Sequence, residues 1–182
     1  MRVRGLVDAG TELVLGSNRP VNPIIVMGVS GCGKTTVGRT LAARLKATFL
    51  DADDFHPAAN VEKMRTGTPL NDEDRDPWLA ALNRELRERS QREERVVLAC
   101  SALKLSYREA IGAQLAHVDW VFLDGSFEVI AERMRLRANH YMPESLLRSQ
   151  IETLERPDNA ICISIELTAA EQVEAALSAF AI

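Results

Sequence analysis

At 182 residues, with 46% apolar and 26% charged side chains, the chain is long enough to bury the core of one domain and too balanced in composition to be disordered or fibrous. A formal net charge of −4 gives no overall field favouring DNA or an anionic membrane surface, which argues against nucleic acid as a partner. The cysteines Cys32, Cys100 and Cys162 are odd in number, far apart and without C-x-x-C spacing, which fits a reducing cytoplasm, and no stretch approaches the roughly 18 uninterrupted apolar residues of a membrane helix.

The N-terminal stretch MRVRGLVDAGTELVLGSNRP carries acidic residues where a signal peptide needs a clean apolar run. Residues 1–22 end in the turn formers SNRPVNP and read as an extension or tail, leaving residues 23–182 as a single domain. Across that domain short β-branched runs alternate with helical patterns, the mark of βαβ units and a five-stranded parallel sheet in an α/β/α sandwich. The strands are expected at 24–28 (IIVMG), 48–52 (TFLDA), 95–100 (RVVLAC), 120–124 (WVFLD) and 161–166 (ICISIE).

The first strand runs into GVSGCGKT, residues 28–35, which matches G-x-x-x-x-G-K-[ST] and opens a helix marked by Val37, Leu41 and Leu45. In such a loop the backbone of Gly28, Val29, Ser30, Gly31, Cys32 and Gly33 turns its N–H groups around the phosphates of a nucleotide, and Thr36 extends the same stretch into the helix. Lys34 is placed to reach the β and γ phosphates and the Thr35 hydroxyl to ligate Mg²⁺. Cys32 reads as a small spacer, since no histidine stands beside it in the motif to act as a base.

The second strand leads into FLDADDFHP, residues 49–57. On extended backbone Asp51 and Asp53 point the same way and Asp54 does not, so Asp51 can face the metal and Asp53 an acceptor hydroxyl, as base or orienting group. The same carboxylates also suit a solvated turn capping a helix near Ala58. His56 stands where an acceptor could be hydrogen-bonded, or is structural; neither His117 nor His140 has ligand-like spacing to it for zinc. From Phe55 to about Arg75 no strand pattern appears, so this segment should project as a partly helical insertion, under which a ligand can lie. Asp76 and Pro77 read as the N-cap and first turn of the next helix, with Leu79, Leu82 and Leu86 inward.

After the third strand, Ser101 suits either a donor to phosphate or substrate or the cap of a helix from Ala102, followed by Leu103, Tyr107, Ile111 and Leu115 on one face. The fourth strand ends at Asp124, a rival to Asp51 as metal residue, though Gly125 and Ser126 also make it a turn before the helix of Phe127, Ile130 and Met134. In that helix Arg133 and Arg137 are four apart and share a face from which both can reach a transferring phosphoryl group, while Arg135 points away. A further helix starts near Pro143 with Leu147, Ile151 and Leu154, and the last opens with the capping box Thr168 to Glu171.

Taken together, GVSGCGKTT, FLDADDFHPAANVEKMRTGTPLNDEDRDPWL, ACSALKLSYRE and HYMPESLLRSQIETLE resemble the gluconokinases, small P-loop kinases related in fold to shikimate kinase and the nucleoside monophosphate kinases. The resemblance runs from about residue 24 to the C-terminus. It implies ATP- and Mg²⁺-dependent phosphorylation of D-gluconate to 6-phosphogluconate by a cytoplasmic homodimer, with Asp53 facing the sugar acid and the stretch from Arg133 to about residue 143 forming a lid. Gluconate carries a carboxylate and several hydroxyls, so its site should combine cations with acceptors. Lys63 and Arg75 flank TGTPLNDED, and Lys104, Tyr107 and Arg108 follow the third strand; with His56 they complete the expected acceptor site. Shikimate kinase is the nearest alternative on fold. A monophosphate acceptor is opposed by the acidic DADD cluster. Outside the kinases, the phosphate loop would also suit a nucleotide-dependent switch.

Overall fold

The five apolar runs pair as strands in the computed structural model, which describes residues 21–66, 68–136 and 144–180. They are β1 (Ile24–Met27), β2 (Thr48–Asp51), β3 (Val96–Ala99), β4 (Asp119–Asp124) and β5 (Ile161–Ser164), all parallel in the order β2-β3-β1-β4-β5. Strands buried on both faces need apolar residues throughout, and β1 (IIVM) and β3 (VVLA) are buried at every position. Alternate side chains go to opposite faces: Ile24, Val26, Val121 and Leu123 to one core, Ile25, Met27, Leu98 and Phe122 to the other.

Helices α1 (Lys34–Leu45), α5 (Phe127–Arg135), α6 (Glu144–Thr153) and α7 (Ala169–Ala179) cover the first face, through Val37, Leu41, Ile130, Leu147 and Val173. Helices α3 (Asp72–Gln91) and α4 (Leu105–Gly112) cover the second, through Leu79, Leu82, Leu86, Tyr107 and Ile111. A 3₁₀ turn (Ala52–Phe55) leads into the stretch expected as an insertion, where α2 (Ala58–Arg65) lies before the start of α3. This is the three-layer α/β/α sandwich read from the sequence. Because every strand is parallel, Met27, Asp51, Ala99 and Asp124 end at one edge. Sequence-adjacent connections diverge there, from β1 toward β2 on one side and from β3 across β1 to β4 on the other, which is where such sheets bind ligands. None of the described helices is long and apolar enough to cross a membrane.

Two helix starts differ from the sequence reading. α3 begins at Asp72, so Asp76 is not its cap: the Asn71 side chain accepts the Asp74 N–H (2.8 Å) while the Asp74 carboxylate accepts the Asn71 N–H (3.1 Å). This reciprocal pair satisfies two end donors and outcompetes the later Asp-Pro signal, leaving Pro77 inside the helix. α4 begins at Leu105, so Ser101 is not its cap; the intervening residues form a loop in which Ala102 takes φ +44°. The extension read over residues 1–22 lies, apart from Val21 and Asn22, outside the described residues.

Candidate active site

The phosphate loop is a tight turn pressed between two other elements. Gly28 (φ +140°) has no room for a Cβ, which would sit 2.9 Å from the Leu123 carbonyl oxygen at the end of β4. Gly31 (φ +85°) lies against α5, where a Cβ would fall 2.8 Å from Met134 Cγ. Both positions therefore need glycine for backbone and for space. Within the loop Lys34 Nζ donates to the Val29 carbonyl (3.1 Å), folding the ammonium over the cradle. Cys32 is buried and burial pushes its thiol up, which fits the reading of a spacer. Thr35 and Thr36 are exposed on the first turn of α1.

β2 ends at Asp51, so the two-residue alternation does not carry on to Asp53. The two residues are linked differently, through the backbone N–H of Asp53. Asp51 caps the 3₁₀ turn, its Oδ1 accepting the Asp53 N–H (3.3 Å), while its Oδ2 accepts the Thr35 hydroxyl (3.1 Å). One side chain thus ties the acidic turn to the phosphate loop. The buried Cys100 thiol, pushed up to about 12 chiefly by burial, lies within electrostatic reach of Lys34, Asp53 and Asp51 together, which gathers those three charges at the end of β3.

His56 stacks on Trp78 (centroids 4.6 Å apart, planes 11° apart), and its Nδ1 is buried without a hydrogen-bond partner. The Trp78 indole donates to the Ala52 carbonyl (2.7 Å), fixing the turn that carries Asp53. Burial first, and Arg75 to a lesser degree, hold the imidazole below its ordinary value of 6.5, while Asp53 pulls it upward. The folded ring therefore resists a proton that the unfolded ring accepts. Its contribution to stability is complete above about pH 6.5 and is lost as pH falls from there through the lower folded value. The stability of the wild type relative to His56→Phe, measured by denaturant unfolding, is expected to fall as pH is lowered through and below about 6.5. A difference that stays constant with pH would contradict a half-buried ring held neutral.

The predicted acceptor cations divide into three groups. Lys104 and Arg75 meet around Asp72: Lys104 Nζ lies 2.7 Å from its carboxylate and Arg75 3.8 Å away, with the Tyr107 hydroxyl donating to the same group. Both cations also lie over the Tyr107 ring, at 5.3 and 5.6 Å. The bond from Lys104, more than that from Tyr107, holds the Asp72 carboxyl below the usual range. Lys63, in α2, pairs with Asp74 (2.5 Å) in the first turn of α3, 11 residues on. Arg108 is buried, and its Nη1 donates to the carbonyls of Ala102 (3.0 Å) and Leu103 (3.2 Å), so its guanidinium grips the loop that carries Lys104.

Asp124 is bonded by both terminal nitrogens of Arg156 (2.9 and 2.6 Å), whereas Asp51 faces Thr35. Arg133 donates to the Ile165 carbonyl and lies within electrostatic reach of Cys32, which sets it beside the phosphate loop. Arg135 pairs outward with Glu132 (3.1 Å), as expected, and Arg137 lies outside the described residues. Three residues that the sequence reading gave no role belong to this neighbourhood. Asp72 organises the cations, Trp78 fixes the acidic turn, and Gln150 of α6 bonds to Ser30. For Asp72 the NDED run was a visible signal; Trp78 and Gln150 depend on contacts 26 and 120 residues away.

The profile of the shikimate kinase family matches residues 30–174. The chain is 50% identical over 133 residues to the thermosensitive gluconokinase of Escherichia coli K12, covering 73% of this chain and 71% of that one. It is 51% identical over 134 residues to a gluconokinase of Gluconobacter oxydans, covering 74% and 75%. The crystal structure of a gluconokinase from Sinorhizobium meliloti superposes with a TM-score of 0.81 at 44% identity, covering 90% of this chain and 93% of that one.

Proposed function

Because this chain belongs to the shikimate kinase family and, within it, to the gluconokinases, we propose that it transfers the γ-phosphoryl group of ATP to a hydroxyl of D-gluconate, giving 6-phosphogluconate. The observation that carries the residue assignment is the contact of Thr35 with Asp51 and of Asp51 with Asp53, which joins the phosphate cradle to the acidic turn at one sheet edge.

In this reading the amides from Gly28 to Gly33 and the dipole of α1 hold the phosphates, with Val29, Ser30 and Cys32 contributing backbone and Thr36 the first helical turn. Lys34 moves from Val29 onto the terminal phosphate oxygens, and Arg133 offsets charge on the departing side, with Arg137 as its proposed companion. Thr35 and Asp51 are the residues to hold Mg²⁺: both offer hard oxygen, and a magnesium site that shares its shell with phosphates and water needs no all-protein cage. When bound, Mg²⁺ neutralises charge on the phosphates. Asp124 is already committed to Arg156, which favours Asp51 for this role.

Asp53 accepts the acceptor hydroxyl's proton as the new O–P bond forms and the bond to the β-phosphate oxygen breaks, releasing ADP. The cluster of Arg75, Lys104 and Lys63 supplies cations for the gluconate carboxylate. His56 is a neutral hydrogen-bonding ring beside it, and Arg108 contributes by holding the loop of Lys104. The kinase domain spans 23–182, with the acceptor insertion at about 55–75 and the lid at about 133–143, of which residues 137–143 lie outside the described residues. The chain works in the cytoplasm as a homodimer, the assembly that the resemblance implies.

The test is ADP release with gluconate, shikimate, related sugar acids and nucleoside monophosphates, each with and without Mg²⁺. Stimulation by gluconate that requires Mg²⁺ is expected. Stimulation by another acceptor in its place would overturn the substrate, and slow turnover indifferent to every acceptor would point to a nucleotide switch.

A further inference from the structure

Helix α6 carries Leu147 and Ile151 on one face, continued by Leu154 just past its end; Leu147 is fully buried and the other two pack on the same core. Gln150 lies on that face, three residues after Leu147. Its carboxamide reaches the phosphate loop: Oε1 accepts the backbone N–H of Ser30 (2.7 Å) and Nε2 donates to the Ser30 hydroxyl (3.2 Å). The segment that follows is fixed independently. The Glu155 N–H donates to the Leu103 carbonyl (2.9 Å), the Glu155 carboxylate accepts the Leu105 N–H, and Arg156 holds Asp124. Three edge loops, those after β1, β3 and β4, are therefore tied to one short arm, and Gln150 is the tie to the loop that holds phosphate.

We propose that Gln150 is a positioning residue for phosphoryl transfer, and that it must be a neutral carboxamide because it sets the Ser30 amide and hydroxyl at the lip of an anion cradle. The proposal deepens the kinase reading and rests on it. A carboxamide can satisfy one donor and one acceptor on Ser30 at once. A glutamate would have the same shape and could accept from both the N–H and the hydroxyl, so the tie and the fold would persist. It would also bring a negative charge to a loop whose partner is a polyanion, and charges this close act through a medium much less screening than water. A methionine would fit the space, carry no charge and drop both bonds.

The experiment compares wild type, Gln150→Glu and Gln150→Met by thermal melting, by Kd for a fluorescent ATP analogue, and by kcat and KM with gluconate. Nucleotide affinity is expected to fall in the order wild type, Met, Glu, with Glu weaker than wild type by about tenfold or more and the loss diminished at high salt. Melting temperature should not follow that order. Glu binding as tightly as wild type overturns the proposal, as does affinity that tracks melting temperature across the three, which would make the residue structural. Should the Glu variant fail to fold, Gln150→Met decides: kcat/KM for ATP lowered by about tenfold at an unchanged melting temperature supports the role, and an unchanged kcat/KM overturns it. Wild type that binds no nucleotide would instead sink the kinase reading itself, a result distinct from all of these.

Discussion

Replacing Asp53 with asparagine is expected to lower gluconate-stimulated turnover by a factor of about 10² or more while changing ATP affinity by less than about threefold. The carboxamide keeps the shape of the side chain, and the bond that seats residue 53 uses its backbone N–H, given to Asp51. The side chain itself is exposed at the sheet edge and no part of the core depends on it. In the proposed mechanism, what the substitution removes is a base for the acceptor's proton. The check is kcat with saturating gluconate set beside the Kd of a fluorescent ATP analogue. Equal losses in the two would make Asp53 a nucleotide-binding or structural residue.

Lys34→Met should be as damaging for a different reason. The ammonium lies 3.1 Å from the Val29 carbonyl, poised over the cradle, and with Asp51 and Asp53 it surrounds the end of β3. Removing one preorganised charge from a phosphoryl-transfer site typically costs about 10² to 10³ in turnover, and here the Kd for ATP should rise as well. Methionine retains the apolar stem at the start of α1, so the melting temperature should move little. Turnover within about tenfold of wild type would remove Lys34 from the chemistry.

The pattern of the fold was legible because its signals are local. Each strand is a short apolar run bounded by polar residues, the caps at Thr168 and Ser126 lie next to the helices they start, and the phosphate loop follows from glycine spacing. Where two local signals competed, at Asn71 and Asp76, the reciprocal cap prevailed, and the earlier start of α3 put Asp72 and Asp74 beside Lys104 and Lys63. The site was legible in its residue types and less so in its partnerships. The Asp51 carboxylate meets residue 53 at its backbone N–H, through a cap on a 3₁₀ turn and not through strand alternation. That Asp124 would be held by Arg156, Arg108 by two loop carbonyls, and Ser30 by Gln150 depends on side chains brought together from 5 to 120 residues apart, which no periodicity encodes.

The most direct measurement is a crystal structure with a non-hydrolysable ATP analogue, Mg²⁺ and gluconate bound together. One Asp53 carboxylate oxygen is expected within about 3.2 Å of the gluconate hydroxyl that faces the terminal phosphate. A ternary complex in which that hydroxyl is met by another group, with Asp53 turned to solvent, would contradict it.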